Sequence, residues 1–194
     1  MRDTLMKALA GRADRALELQ TALTSFPAVG PESGGVGEWD KARWLEAWLR
    51  DHGVVDIERV DAPDGRVPSG MRPNIIARVP GASSRMLWVL AHLDVVPPGE
   101  EALWKSDPWT VVRDDEDPDI IRGRGVEDNQ QAVTSGALVA AELVEQGVTP
   151  DLGFGLILVA DEETGNAYGA EHVFTRRPDL VSPDDLVMVP DYGT

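Results

Sequence analysis

The stretch Leu87-Trp88-Val89-Leu90-Ala91-His92-Leu93-Asp94 decides how the chain reads. It is a short apolar run that closes on a histidine and an aspartate two residues apart. A run of this length and apolarity predicts a strand buried on both faces, as in the middle of a parallel sheet. Successive side chains of an extended chain alternate in direction, so His92 and Asp94, at i and i+2, face the same way. Open α/β sheets place their ligands at the carboxyl ends of such strands, and an imidazole beside a carboxylate there has the composition of a site.

Toward the amino terminus, residues 74–79 predict a second strand, joined to 86–91 by the turn Pro80-Gly81-Ala82-Ser83-Ser84. Residues 54–60 predict another strand, and 61–73, with three prolines, a turn-rich connection. Leu5, Ala8, Leu17, Leu19 and Leu23 predict an amphipathic helix over residues 4–24, interrupted at Gly11 and ended by Phe26-Pro27. After a glycine-rich loop over 30–37, a second helix begins near Glu38, with Trp39, Ala42, Leu45, Trp48 and Leu49 on one face and His52-Gly53 at its end.

Toward the carboxyl terminus, residues 95–108 form a loop, and 110–113 and 120–122 predict a hairpin across an acidic turn. Gly123-Arg124-Gly125 breaks the strand. A helix over 129–145 follows, with Ala132, Val133, Ala137, Ala140, Ala141 and Val144 inward and Gly147 as its C′ residue. Residues 154–160 predict a buried strand, 167–174 a short helix, and 186–189 a last buried strand running into Pro190-Asp191. Strands alternating with helices give an α/β class, a mixed and mostly parallel central sheet sandwiched between helices.

The 194 residues suffice for one substantial core, and 42% hydrophobic with 27% charged residues is the composition of a folded, soluble protein. A net charge of -16, with Lys7, Lys41 and Lys105 the only lysines, argues against a nucleic-acid partner, because phosphate binding needs clustered cations. The acidic surface reads either as the solvated face of a cytosolic enzyme or as that of a protein in a high-salt cytoplasm. Met1 to Lys7 lead into a mixed charged pattern with no apolar h-region, so no secretory signal, no membrane span and a cytoplasmic location are expected.

Three predicted strands end in acid, at His92-Leu93-Asp94, Asp161-Glu162-Glu163 and Pro190-Asp191, and Asp128 opens a helix. Any one of these is ordinarily a solvated loop start, and a lone His–Asp pair is ordinarily structural. If the strands are neighbours, however, the acids converge on one edge, where they raise each other's pKa and call for a cation. The chain has no cysteine, so only nitrogen and oxygen ligands are on offer. That donor set suits zinc, or cobalt or manganese in the same pocket.

Three blocks, His92-Leu93-Asp94-Val95-Val96-Pro97, Gly123-Arg124-Gly125 with Asp128, and Asp161-Glu162-Glu163-Thr164-Gly165, resemble in order and spacing the signature blocks of the M20 metallopeptidases. The likeness extends to the 31–37 loop and the Trp109 region and so to essentially the whole chain. This family includes succinyl-diaminopimelate desuccinylases, acetylornithine deacetylases, aminoacylases, glutamate-type carboxypeptidases and dipeptidases.

The resemblance implies a zinc-peptidase-like catalytic domain holding two zinc ions about 3.5–4 Å apart. It makes His92 and Asp191 ligands of the first ion, Asp128 the bridge, and Glu163 a ligand of the second. It also makes Glu162 the general base and Asp94 the acceptor of the second His92 ring N–H, and it implies a cis peptide between Asp128 and Asn129. The reaction implied is amide or peptide hydrolysis in a small N-acyl amino acid or dipeptide-like substrate.

Two departures stand out. Asn129-Gln130-Gln131 follows the bridging Asp where the family commonly has a short side chain or Met and then Lys-Gly. Family members are also about twice as long, with a lid or dimerisation domain and a last metal-binding His, and neither His52 nor His172 matches that ligand. Residues 1–194 are therefore expected to be the amino-terminal part of the catalytic domain, without the lid, of a protein whose full-length form is a homodimer. The competing reading is a truncated or degenerate fragment that folds, binds metal weakly and does not turn over. A phosphate-handling enzyme finds no support, since no glycine-rich phosphate loop follows a strand.

Overall fold

In the computed structural model, which describes residues 2–191, the elements run α1 (Arg2–Ala10), α2 (Ala13–Thr24), α3 (Trp39–Asp51), β1 (Asp56–Arg59), β2 (Ala62–Pro63), β3 (Met71–Arg72), β4 (Ile75–Val79), β5 (Met86–His92), β6 (Val112–Arg113), β7 (Ile121–Arg122), α4 (Gln130–Glu145), β8 (Gly153–Val159), α5 (Ala170–Arg176) and β9 (Leu186–Met188). The main sheet has the order β1-β4-β8-β5-β9. Its β1–β4 and β4–β8 ladders are antiparallel, and its β8–β5 and β5–β9 ladders are parallel. The class is the expected α/β with a mixed sheet.

Alternation along each strand builds two cores. On one face Ile75, Ala77, Val89, Ala91, Leu156 and Leu158 pack with Leu19 and Leu23 of α2, Leu45 and Leu49 of α3, and Ala137 and Ala141 of α4. On the other, Ile76, Trp88, Ile157 and Val159 pack with Val173 of α5 and Leu180. Each large apolar side chain buried this way is worth about 1.5–3 kcal/mol. α4 lies close to the sheet because a Cβ at Gly136 would stand only 2.7 Å from Leu156 Cδ2.

Several sequence expectations change. β4 and β5 are consecutive but not adjacent. The turn between them bonds sideways, Ala82 N–H to Pro150 C=O at 2.8 Å and Ser83 N–H to Asp151 C=O at 3.1 Å, so β8 inserts between the two strands. The connection over 61–73 contains a small antiparallel pair, β2–β3. β9 is not a buried strand. It is an edge with Leu186, Val187 and Met188 all about half exposed, because nothing covers either of its faces among the described residues. Val144 is also exposed, lying off the inward stripe of α4. No helix among the described residues is long and apolar enough to cross a membrane.

Candidate metal centre

Parallel pairing sets the site. β5 and β8 run side by side with His92 opposite Val159, and β9 joins β5 with Met188 opposite Val89. The carboxyl ends of the three strands therefore reach the same edge of the sheet, where the amino end of α4 also arrives. His92, the last residue of β5, is 1% exposed. Its Nε2 lies 3.0 Å from Asp128 Oδ1, 3.7 Å from Asp191 Oδ2 and 3.9 Å from Glu162 Oε2. Two triads of ligand atoms gather within 4.8 Å: His92, Glu162 and Asp191, and His92, Asp128 and Glu163. The five side chains foreseen at the site thus meet, whereas His52 bonds Trp48 C=O through Nδ1 and neither it nor His172 joins either triad.

Asp94 sits differently from expectation. The nearest partner of His92 Nδ1 is the Asp94 backbone carbonyl at 3.0 Å, with the carboxylate at 3.5 Å. The carboxylate instead accepts the N–H groups of Glu162 (3.1 Å) and Glu163 (3.0 Å). These two residues open a short 3₁₀ turn, whose first N–H groups lack partners within the turn, and a buried carboxylate is a strong acceptor for them. Asp94 therefore orients His92 from one side and the two glutamates from the other.

The Asp128–Asn129 peptide is cis. Asn129 and Gln131, read from sequence only as a departure, turn out to hold the site's walls together. Asn129 Oδ1 accepts the His92 N–H at 3.3 Å, and Asn129 Nδ2 and Gln131 Nε2 both donate to Pro190 C=O, at 3.1 and 2.9 Å. The residue before Asp191 is thereby tied to β5 through α4. Asn129 is buried and Gln131 half-buried; a run of amides directly after a predicted acid, opening an otherwise apolar helix, was the available signal.

Electrostatically the cluster is over-supplied with negative charge. Burial, then Asp128, pushes the Glu163 carboxyl up to about 7. Burial also pushes Glu162 up, against the pull of His92 and with the help of Asp191 and Asp94. For His92 burial works downward, but the Asp94 hydrogen bond and charge, with Asp191, outweigh it and raise the imidazole to about 9. Glu163 Oε1 is buried with no hydrogen-bond partner. A field that draws protons onto both a histidine and a buried glutamate, around an unsatisfied carboxylate oxygen, is one that divalent cations relieve. The residues fit such ions in number, charge and donor type.

Residues 88–189 match the peptidase family M20/M25/M40. An uncharacterized metallohydrolase of Methanococcus maripaludis is 33% identical over 185 residues, 93% of this chain and 44% of that protein. A succinyl-diaminopimelate desuccinylase of Methylocella silvestris is 32% identical over 151 residues, 78% of this chain and 36% of that protein. Among solved structures, a dipeptidase of Saccharomyces cerevisiae superposes with a TM-score of 0.79 at 22% identity, over 97% of this chain and 40% of its own, a likeness of fold. The chain spans under half the length of these relatives.

Proposed function

The chain belongs to the peptidase family M20/M25/M40, and on that footing we propose that its site serves a metal-dependent hydrolase of amide or peptide bonds in small N-acyl amino acids or dipeptide-like molecules. The observation that carries this is the meeting of His92, Asp128, Glu162, Glu163 and Asp191 at one sheet edge. In this reading His92, Asp128, Glu163 and Asp191 would hold two zinc ions, with cobalt or manganese as substitutes. Such ions, when bound, polarise the scissile carbonyl and make water acidic enough to lose a proton near neutrality.

The chain's own residues do the rest. Glu162, 38% exposed at its side chain, faces the open side of the site and takes the proton from the attacking water. The water oxygen bonds to the carbonyl carbon, the carbon–nitrogen bond breaks, and Glu162 gives the same proton to the departing amine. Asp94 contributes by fixing the backbone of both glutamates and one side of His92, which sets where the base stands before substrate arrives.

Residues 1–194 are taken as the amino-terminal part of the catalytic domain of a cytoplasmic protein that is homodimeric at full length. That the chain spans 44% and 36% of two relatives supports its being a portion of such a protein; the location and the assembly rest on the sequence expectation alone. The charge of -16 supports a small-molecule substrate over nucleic acid. A folded, metal-binding fragment without turnover is the second reading, favoured by one fact: His92 is the single imidazole in the gathered ligand set among the described residues. Assay of zinc-loaded protein on a panel of N-acyl amino acids and dipeptides separates the two. Hydrolysis that stops on chelation and returns with zinc is expected, and zinc-loaded protein with no turnover on any member leaves the second.

A further inference from the structure

Beneath the turn that carries Glu162 and Glu163 lies a second ionic cluster, wholly buried. Arg72, at the end of β3, is 0% exposed, and Glu38, Asp161 and Asp64 around it are each under 5%. Its Nε donates to Glu38 Oε2 at 2.9 Å and its Nη2 to Glu38 Oε1, a two-pronged grip. Its remaining nitrogen, Nη1, faces Asp161 Oδ1 at 3.5 Å and Asp64 Oδ2 at 3.6 Å.

Asp161 is the pivot of the turn. It holds φ at 63°, a left-handed conformation disfavoured for a residue with a Cβ, directly before Glu162. Its carboxylate also accepts the Thr164 hydroxyl and, at 3.0 Å, the Tyr168 N–H, while its carbonyl accepts the Asn166 N–H at 2.7 Å. Among the described residues Arg72 is the one cation within ion-pair distance of it. Two residues on, Asn74 accepts the Ala160 N–H at 3.0 Å and donates to Tyr168 C=O at 2.9 Å. The short run 72–74 therefore grips the turn at both ends.

We propose that Arg72 is a positioning residue, which, by tying Asp161 to Glu38 below the site, fixes where Glu162 and Glu163 stand. Stability is a poor explanation for the cluster, because a buried ion pair seldom outperforms apolar side chains of the same volume. A satisfied buried polar network does supply one unique geometry, and a strained pivot before two functional carboxylates needs one. Asp94 holds the turn's backbone from above and Arg72 holds its pivot from below.

This inference rests on the roles proposed for Glu162 and Glu163. The test compares wild type, Arg72→Lys, and the double variant Arg72→Met with Glu38→Gln, which leaves Glu38 uncharged and Asp161 with its Thr164 and Tyr168 hydrogen bonds but no cation. Each is loaded with cobalt, and the readouts are the visible cobalt spectrum, cobalt affinity, kcat, KM and cooperative melting. The double variant should melt cooperatively, lose intensity in the cobalt band, and fall by about tenfold or more in affinity and kcat with KM little changed; Arg72→Lys should recover part of the loss.

A folded double variant with the wild-type spectrum and kcat overturns the inference and leaves the functional reading standing. Wild type that binds no cobalt and hydrolyses nothing overturns both. Should the double variant not fold, Thr164→Val, which removes only the hydroxyl bonded to Asp161, should shift the spectrum and kcat in the same direction by less, and no shift again overturns the inference.

Discussion

Glu162 and Glu163 are neighbours in sequence with opposite surroundings. The first side chain is partly open to solvent, while the second ends in a buried oxygen with no protein partner. On the base role proposed for Glu162, Glu162→Gln should lower kcat by about 10²–10⁴ while zinc content stays at the wild-type level; zinc loss would instead mark it as a ligand of the His92–Glu162–Asp191 triad. Glu163→Gln should instead lower zinc content, as read by elemental analysis after dialysis. Lys41 offers a pH test at the same scale. It is 1% exposed, with its Nζ on Leu93 C=O at 2.9 Å, and burial, opposed by Asp94 and Glu38, pushes it down to about 8. A lysine depressed when folded binds fewer protons than when unfolded, so its cost is complete below pH 8 and disappears as the pH rises toward its unfolded value. In urea unfolding, wild type should gain on Lys41→Met between pH 8 and 10.5, by about 3 kcal/mol at most; a constant difference over that range contradicts the account. The residue types and spacings of the site were legible in the sequence because each sits at a strand end or helix start with a recognisable neighbour. The Arg72 cluster was not, since Glu38, Arg72 and Asp161 lie far apart in the chain and look like ordinary surface charges in an acidic sequence.

At the scale of elements, β5 and β8 were readable as continuous apolar runs and α4 from its apolar stripe, while strand order was not. Periodicity reports which face a residue takes, whereas the insertion of β8 between β4 and β5 depends on backbone bonds from the 80–84 turn to residues 150 and 151. Gly155 shows how closely those strands fit, because a Cβ there would stand 2.2 Å from the Trp88 ring. Gly155→Ala should cost about 1–3 kcal/mol by overpacking. A chemical-denaturation midpoint equal to that of wild type contradicts that packing. β9 was misread as buried because Leu186, Val187, Met188 and Val189 are apolar, and apolarity predicts that a strand is covered without saying by what.

For the whole molecule, the edge strand β9 leaves Leu186, Val187 and Met188 about half exposed beside its unpaired backbone, on a protein of net charge -16. The 194-residue chain should self-associate in a concentration-dependent way at moderate salt, where the repulsion of its net charge is screened, and Val187→Lys should suppress this. Sedimentation as a clean monomer at high concentration contradicts it. The same topology that leaves β9 at the edge brings its carboxyl end beside those of β5 and β8, and the metal reading depends on that convergence. The most direct test is the zinc content of the purified protein after exhaustive dialysis, compared with Asp128→Ala. Two zinc ions per chain are predicted for wild type, with Asp128→Ala losing both if its carboxylate has the shared role proposed for it; wild type that retains no zinc, or a variant that binds as much as wild type, contradicts the account.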